Sequence, residues 1–207
     1  MLRVYGDIYS GNCYKIKLLL TQLGQEHEWV PMDILKKETR TAEFLAKNPN
    51  GRIPLLELES GEFLAESNAI LHYLAEGSAL LPTGRLAHAR VLQWMFFEQY
   101  SHEPHIAGAR YIVRYLGNPP HEQERLRQRM APGYQALDVM EQHLSAEAFF
   151  AGGRYSIADI ALYAYTHVAG EGGFDLAAYP RVCAWLGRVA AQPGYIGMDG
   201  QAGVTAA

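Results

Sequence analysis

The sequence predicts an α/β domain with a mixed four-stranded sheet, followed by an all-helical domain. Three observations predict it. Strand-like runs occur only in the first 77 residues, where they alternate with helix-spaced apolar stripes in the order β–α–β–α–β–β–α. A stretch rich in Gly, Ser and Pro, Gly77 to Gly84, then interrupts the pattern. Beyond it only the helical period recurs.

Each element has a local reason. Leu2–Tyr5 is a short apolar strand. Ser10-Gly11-Asn12-Cys13 opens a helix whose Ile16, Leu19, Leu20 and Leu23 share one face, and Gly24 ends it in the manner of a C-cap. Glu28–Pro31 reads as the second strand, and Thr41–Lys47 as a short helix. Ile53–Leu58 and Glu62–Ala65 read as two strands joined by a turn at Ser60-Gly61. Ser67–Ala75 reads as a helix with Ala69, Ile70, Tyr73 and Leu74 apolar. In the second half, Val91, Leu92, Met95 and Phe96 mark a long helix. Leu126, Met130, Gly133, Leu137, Met140 and Leu144 step by 4, 3, 4, 3, 4 along another. Ile157, Ile160, Ala161, Ala164 and Val168 line a third, and Val182, Trp185, Leu186 and Val189 a fourth. The expected domains are 1–77 and 87–207, with 78–86 as linker, and the small, polar end Asp199–Ala207 is expected to fray.

Composition narrows the function. At 207 residues, 49% hydrophobic and 19% charged, the chain is neither disordered nor fibrous. A net charge of −4 with no basic block argues against nucleic acid as a partner. The only cysteines, Cys13 and Cys183, are too far apart in sequence to suggest a zinc site or a disulfide framework. No signal peptide and no 18-residue apolar run is visible, so a cytoplasmic protein without membrane spans is expected.

Four short motifs stand out, three of them with a chemical reading. Asn50-Gly51-Arg52-Ile53-Pro54 precedes a strand; it reads either as a plain strand entry or as a cis Ile53-Pro54 bond that holds the Ile53 backbone outward as a docking edge. Glu66-Ser67-Asn68 starts a helix; it reads as ordinary capping, or as a cradle in which the helix N-terminus takes a carboxylate and Glu66 an ammonium. Both charges on one carbon describe an amino-acid head group. Ser10-Gly11-Asn12-Cys13 has the spacing of a C-x-x-C turn with serine in the first place. Serine cannot exchange disulfides, but at a helix N-terminus it can donate a hydrogen bond to another molecule's thiolate. Ser156-Ile157-Ala158-Asp159 reads as a structural capping box. Glu98 and His102, four apart, could pair, and with Glu103 and His105 they suggest a solvated or pocket-lining face rather than a metal site.

In this order and spacing, these residues resemble the cytosolic glutathione S-transferase family, in its bacterial, serine-type, theta/zeta/phi-like branch. The likeness covers nearly the whole chain and extends to Gly152–Asp159, which is similar to the family's late-helix folding motif. It implies a thioredoxin-like N-terminal domain, a helical C-terminal domain, glutathione as co-substrate, a homodimer and a role in detoxification. It also implies roles for single residues. Ser10 matches the serine that activates the glutathione sulfur. Ile53 matches the residue whose backbone pairs with the cysteinyl part, with Pro54 as the cis-proline. Glu66 and Ser67 match the pair that holds the γ-glutamyl head. Arg40 falls where a basic group meets the glycine carboxylate, and Arg52 is placed to assist. Tyr9, Asn12 and Cys13 stand close enough to Ser10 to share its role. The electrophile is expected near Tyr9, Asn12, Tyr100, His102, Glu103, Ile106 and Arg110. An apolar substrate suits the aromatic content, and a carboxylate-bearing one suits His102, Glu103 and Arg110. Transfer, cis–trans isomerisation, peroxide reduction, disulfide reduction and a non-catalytic binding role all fit this frame.

Overall fold

The computed structural model describes residues 1–200. They form two compact units: residues 1–78 together with those from 192 onward, and residues 79–191. The sequence reading carries the helical domain to the chain's end, whereas the segment from Gln192 groups with the first unit. Tyr14 shows why, because its hydroxyl donates to the Ile196 carbonyl at 2.7 Å. Asp199 and Gly200 lie in a turn closed by the Gly200 N–H on the Gly197 carbonyl. The rest of the end expected to fray, residues 201–207, is outside the described residues.

In the first unit, β1 (Leu2–Gly6) pairs in parallel with β2 (His27–Pro31), with Val4 opposite Trp29. On its other side β1 pairs antiparallel with β3 (Leu55–Glu57), which pairs antiparallel with β4 (Phe63–Ala65). The order is β2-β1-β3-β4, the mixed four-stranded sheet expected. Helices α1 (Gly11–Gln22), α2 (Ala42–Lys47) and α3 (Ser67–Ala75) complete the unit, with α1 packed on α3. Thr41 caps α2 by accepting the Phe44 N–H. Gly24, at φ 63°, follows the end of α1, where its N–H donates to the Thr21 carbonyl.

Burial on α1 is wider than the predicted stripe. Besides Ile16, Leu19 and Leu20, it takes in Cys13, Tyr14, Lys15 and Leu18. Val4, Leu55, Leu56, Ile70 and Leu71 join them in the core. Each fully buried aliphatic side chain contributes about 1.5–3 kcal/mol relative to exposure.

The second unit is helical. α4 (Arg85–Phe97) runs through a π-helical turn, Glu98–His102, into α5 (Glu103–Arg110), and a second π-helical turn spans Tyr111–Tyr115. α6 (Gln123–His143), α7 (Ile157–Thr166) and α8 (Pro180–Ala190) follow. The predicted capping box is present at Ser156 and Asp159. Asp159 also accepts the Phe150 N–H at 3.1 Å and the Trp185 indole N–H at 3.0 Å, so one buried carboxylate ties the start of α7 to α8. No helix among the described residues is long and apolar enough to cross a membrane.

Candidate functional site

The first unit brings most of the predicted glutathione-site residues to two helix N-termini and one loop. Ser10 is the N-cap of α1, in extended backbone, and its hydroxyl accepts the Cys13 N–H at 3.4 Å. It is partly exposed. Cys13 is fully buried, and burial pushes its thiol up to about 12, although the adjacent Ser10 hydroxyl pulls the other way. A thiol sealed in this way stays protonated at physiological pH. Tyr9 is about half exposed, and its N–H donates to Asp7 at 2.9 Å.

The start of α3 differs from ordinary capping. Glu66 occupies the N-cap position at φ 68°, ψ 113° and makes no side-chain cap bond. Only its backbone serves the helix, its carbonyl accepting the Ile70 N–H. Its carboxylate is exposed and receives the Asn50 side-chain amide at 3.5 Å. Ser67 does not cap either. Its buried hydroxyl donates to Asn12 Oδ1 at 3.1 Å and accepts from Lys15 Nζ at 3.3 Å. No side chain at the N-cap therefore occupies the first-turn N–H groups, the arrangement in which a helix N-terminus takes an anion.

The Ile53-Pro54 bond is cis. The β3–β4 ladder begins at Leu55 opposite Ala65, so Ile53 stands outside it at the strand's entry, packed against Tyr5, Phe44 and Leu55. Beside it, Asn48 is buried and shapes the loop, accepting the Asn50 N–H and donating to the Arg52 carbonyl at 2.8 Å. Arg40 and Arg52 are exposed, and neither makes an ion pair among the described residues. Arg40 Nη1 donates to the Asn50 carbonyl at 3.1 Å. The rim beside Ile53 is thus cationic, and Glu66 supplies the negative charge across from it through Asn50.

The residues predicted to hold the electrophile divide over two faces of one helical run. Val91, Met95, Glu98, His102, Ile106 and Ala109 step by 4, 3, 4, 4, 3 and are all buried. His102 and Ile106 are therefore core residues, and His102 Nε2 meets the Thr166 hydroxyl at 2.9 Å. Arg110 is buried as well and donates to Glu171 at 2.9 Å. Tyr100 points the other way and is 86% exposed, beside Phe97, His105 and Val139. Glu103 is partly exposed and accepts from Gln99. Tyr100 and His102, two residues apart, face opposite sides of this run. Tyr100 and Glu103 thus lie at the surface of this unit, and His102, Ile106 and Arg110 in its interior. Among the described residues, no group of three or more His, Cys, Asp or Glu converges to hold a metal ion.

Sequence reasoning placed Asn50 in the loop motif without a role for its side chain, and gave no role to Lys15 or Asn48. The signal for Lys15 was its place on α1, three residues after Asn12 and so on the same face.

Comparison with known proteins follows the same division of the chain. The model for the glutathione S-transferase N-terminal domain matches residues 1–76, and that for the C-terminal domain matches residues 91–193. The structure is similar to a glutathione S-transferase from Pseudomonas fluorescens, with a TM-score of 0.94 and 57% identity, covering 95% of this chain and 98% of that one. The sequence is 32% identical to glutathione S-transferase 3 of Zea mays, over 94% of this chain and 91% of that protein. It is 31% identical to a maleylacetoacetate isomerase of Rhizobium meliloti, over 84% of each.

Proposed function

The chain belongs to the glutathione S-transferase family, and from that premise we propose that it is a transferase that uses Ser10 to hold glutathione as a thiolate for attack on a small electrophile. The observation that carries this reading is the Ser67–Asn12 hydrogen bond, 3.1 Å long, which joins the Ser10 turn to the start of α3. A tripeptide with its head group at Glu66 and Ser67 and its middle residue along Ile53 reaches toward the Ser10 turn with its sulfur. The γ-glutamyl ammonium meets Glu66, its carboxylate the N-terminus of α3, and the glycine carboxylate the Arg40–Arg52 rim.

The energetics are sufficient. A free thiol with a pKa near 8.5 is only about 3% ionised at pH 7, and one at about 6.5 is roughly three-quarters ionised. That shift corresponds to about 2.7 kcal/mol. A hydrogen bond from Ser10 to the anion supplies about 1.5–3 kcal/mol, and the α1 N-terminus adds about 0.3–1 kcal/mol. Ser10 thus acts as a donor and not as a nucleophile. The thiol proton leaves to solvent, the sulfur forms a bond to the electrophilic carbon, and the leaving group departs with its electron pair.

A second reading has support in the isomerase relative. The same thiolate can add to an activated double bond, allow rotation, and leave again, returning glutathione unchanged. Exposed Leu86, Phe96 and Tyr100 on α4 and the following turn favour a homodimer, since a second copy would cover them.

The test is a glutathione titration followed by thiolate absorbance near 240 nm from pH 5 to 9, for wild type and Ser10→Ala. The wild type binds glutathione and ionises it well below its solution pKa, while the variant binds without ionising it. Equal ionisation by both proteins removes Ser10 from the mechanism. Turnover of an electron-poor haloarene and of a cis-dienoic acid then separates transfer from isomerisation.

A further inference from the structure

Lys15 is the one lysine of α1 that is completely buried, in a chain whose other helix-surface lysine there, Lys17, is not. Its Nζ donates to Ser67 Oγ at 3.3 Å and to Asn68 Oδ1 at 3.4 Å. An ammonium has three donors and no acceptor, and a hydroxyl has one donor and two acceptor positions. With Lys15 on one lone pair, the Ser67 proton must point elsewhere, and here it goes to Asn12 Oδ1. Asn68 is set in the same way. Its Oδ1 accepts from the same ammonium, which leaves the NH2 group as its donor.

We propose that Lys15 is a positioning residue that presets the polarity of the α3 N-terminus, so that Ser67 and Asn68 present donors to the carboxylate of an incoming amino-acid head group. The inference rests on the glutathione reading above and deepens it. Without the lysine, the Ser67 hydroxyl is free to rotate and offer a lone pair, which repels a carboxylate. Lys15 touches neither the sulfur nor the electrophile in this scheme, so it governs glutathione affinity and leaves the thiol's ionisation to Ser10. Asn12 is the resting acceptor that the ligand carboxylate replaces.

The experiment is a double-mutant cycle on the full-length protein, read by calorimetric titration with glutathione and by the pKa of the bound thiol. Lys15→Met weakens glutathione binding by about 3- to 10-fold and raises KM, with kcat and the bound thiol's pKa unchanged. In a Ser67→Ala background the same substitution changes affinity less than twofold, because the hydroxyl through which it acts is absent. Equal losses in both backgrounds, or no loss in either, overturn the inference while wild-type binding still supports the glutathione reading. Failure of the wild type to bind glutathione overturns both. Should Lys15→Met fail to fold, Lys15→Leu, which likewise carries no donor, is read in the same cycle, with the same outcomes deciding.

Discussion

The Cys13 N–H donates to the Ser10 hydroxyl, while the Cys13 thiol is sealed beneath it, so the two residues of this C-x-x-C-like turn have opposite accessibility. One is a partly exposed hydroxyl at a helix N-terminus and the other a buried small hydrophobe. Cys13→Ala should therefore leave kcat and KM within about twofold and cost about 1 kcal/mol of stability through lost packing. Thiol titration offers a direct check, because Cys183 is exposed and Cys13 is not. The native protein should react with one equivalent of an aromatic disulfide reagent and the denatured protein with two. Two rapid equivalents from the native protein, or loss of turnover in the variant, would return Cys13 to the mechanism.

Glu66 carries strain and function at one position. At φ 68°, ψ 113° its backbone lies where side chains are rarely found, at a cost of about 1–3 kcal/mol. Glu66→Gly should relieve this and raise the melting temperature by a few degrees, offset in part by glycine's greater freedom when unfolded. The same change removes the carboxylate and should weaken glutathione binding by at least 10-fold. Glu66→Gln keeps the side chain's reach and the strain but loses the charge, so it should weaken binding without stabilising. A glycine variant that binds glutathione as tightly as wild type would remove Glu66 from the head-group site.

Local rules made most of the first unit legible. Ser10, Gly24 and Thr41 sit at the ends of elements whose apolar spacing is unambiguous, and α3 begins and ends where its pattern does. What stayed hidden was set by partners far along the chain. Ser67 reads as a cap from its neighbours, but Asn12 and Lys15, more than fifty residues earlier, take its hydroxyl. Tyr14 is buried on the side of α1 facing the chain's far end, through Ile196. On the helical run, Glu98 and His102 continue the step of Val91 and Met95, so their burial was present in the spacing. Polar residue type alone does not reveal that burial, and His102 meets the Thr166 hydroxyl in the interior of the helical unit.

Gly51 couples the loop's backbone to Arg40. Its φ is +61°, and an added Cβ would lie 2.6 Å from Arg40 Nη1 and 2.9 Å from the Thr39 carbonyl oxygen. The guanidinium can move, but the carbonyl cannot do so without shifting the turn before α2. Gly51→Ala should cost about 1–3 kcal/mol of stability and displace Arg40 from the Asn50 carbonyl. Arg40→Ala separates the two effects, since Arg40 is exposed and its loss should change stability by less than about 0.5 kcal/mol. Binding of glutathione should fall several-fold in both variants. Glutathione esterified at the glycine carboxylate should bind wild type and Arg40→Ala equally, and a persisting difference would assign Arg40 another role.

Two buried groups of the helical unit oppose one another in acid. Burial pushes the Asp159 carboxyl up to about 6, against about 3.9 in an unfolded chain. The native state then binds the proton more tightly, so this group's contribution to stability falls as pH rises from about 4 to 6. Burial lowers His167 to about 4, against about 6.5 unfolded. The unfolded state binds that proton more tightly, so this contribution rises with pH over about 4 to 6.5. Each amounts to about 3 kcal/mol across its window, and in the wild type they largely cancel. His167→Phe keeps a ring against Tyr163, where the stacked centroids are 4.6 Å apart, and removes the titrating group. Its stability relative to wild type should therefore improve on acidification from pH 6.5 to 4 by up to about 3 kcal/mol. Asp159→Asn should do the reverse, making stability rise more steeply with pH than in the wild type. Urea midpoints at half-unit pH intervals measure both slopes, and a pH-independent difference between wild type and His167→Phe would show that His167 titrates alike folded and unfolded.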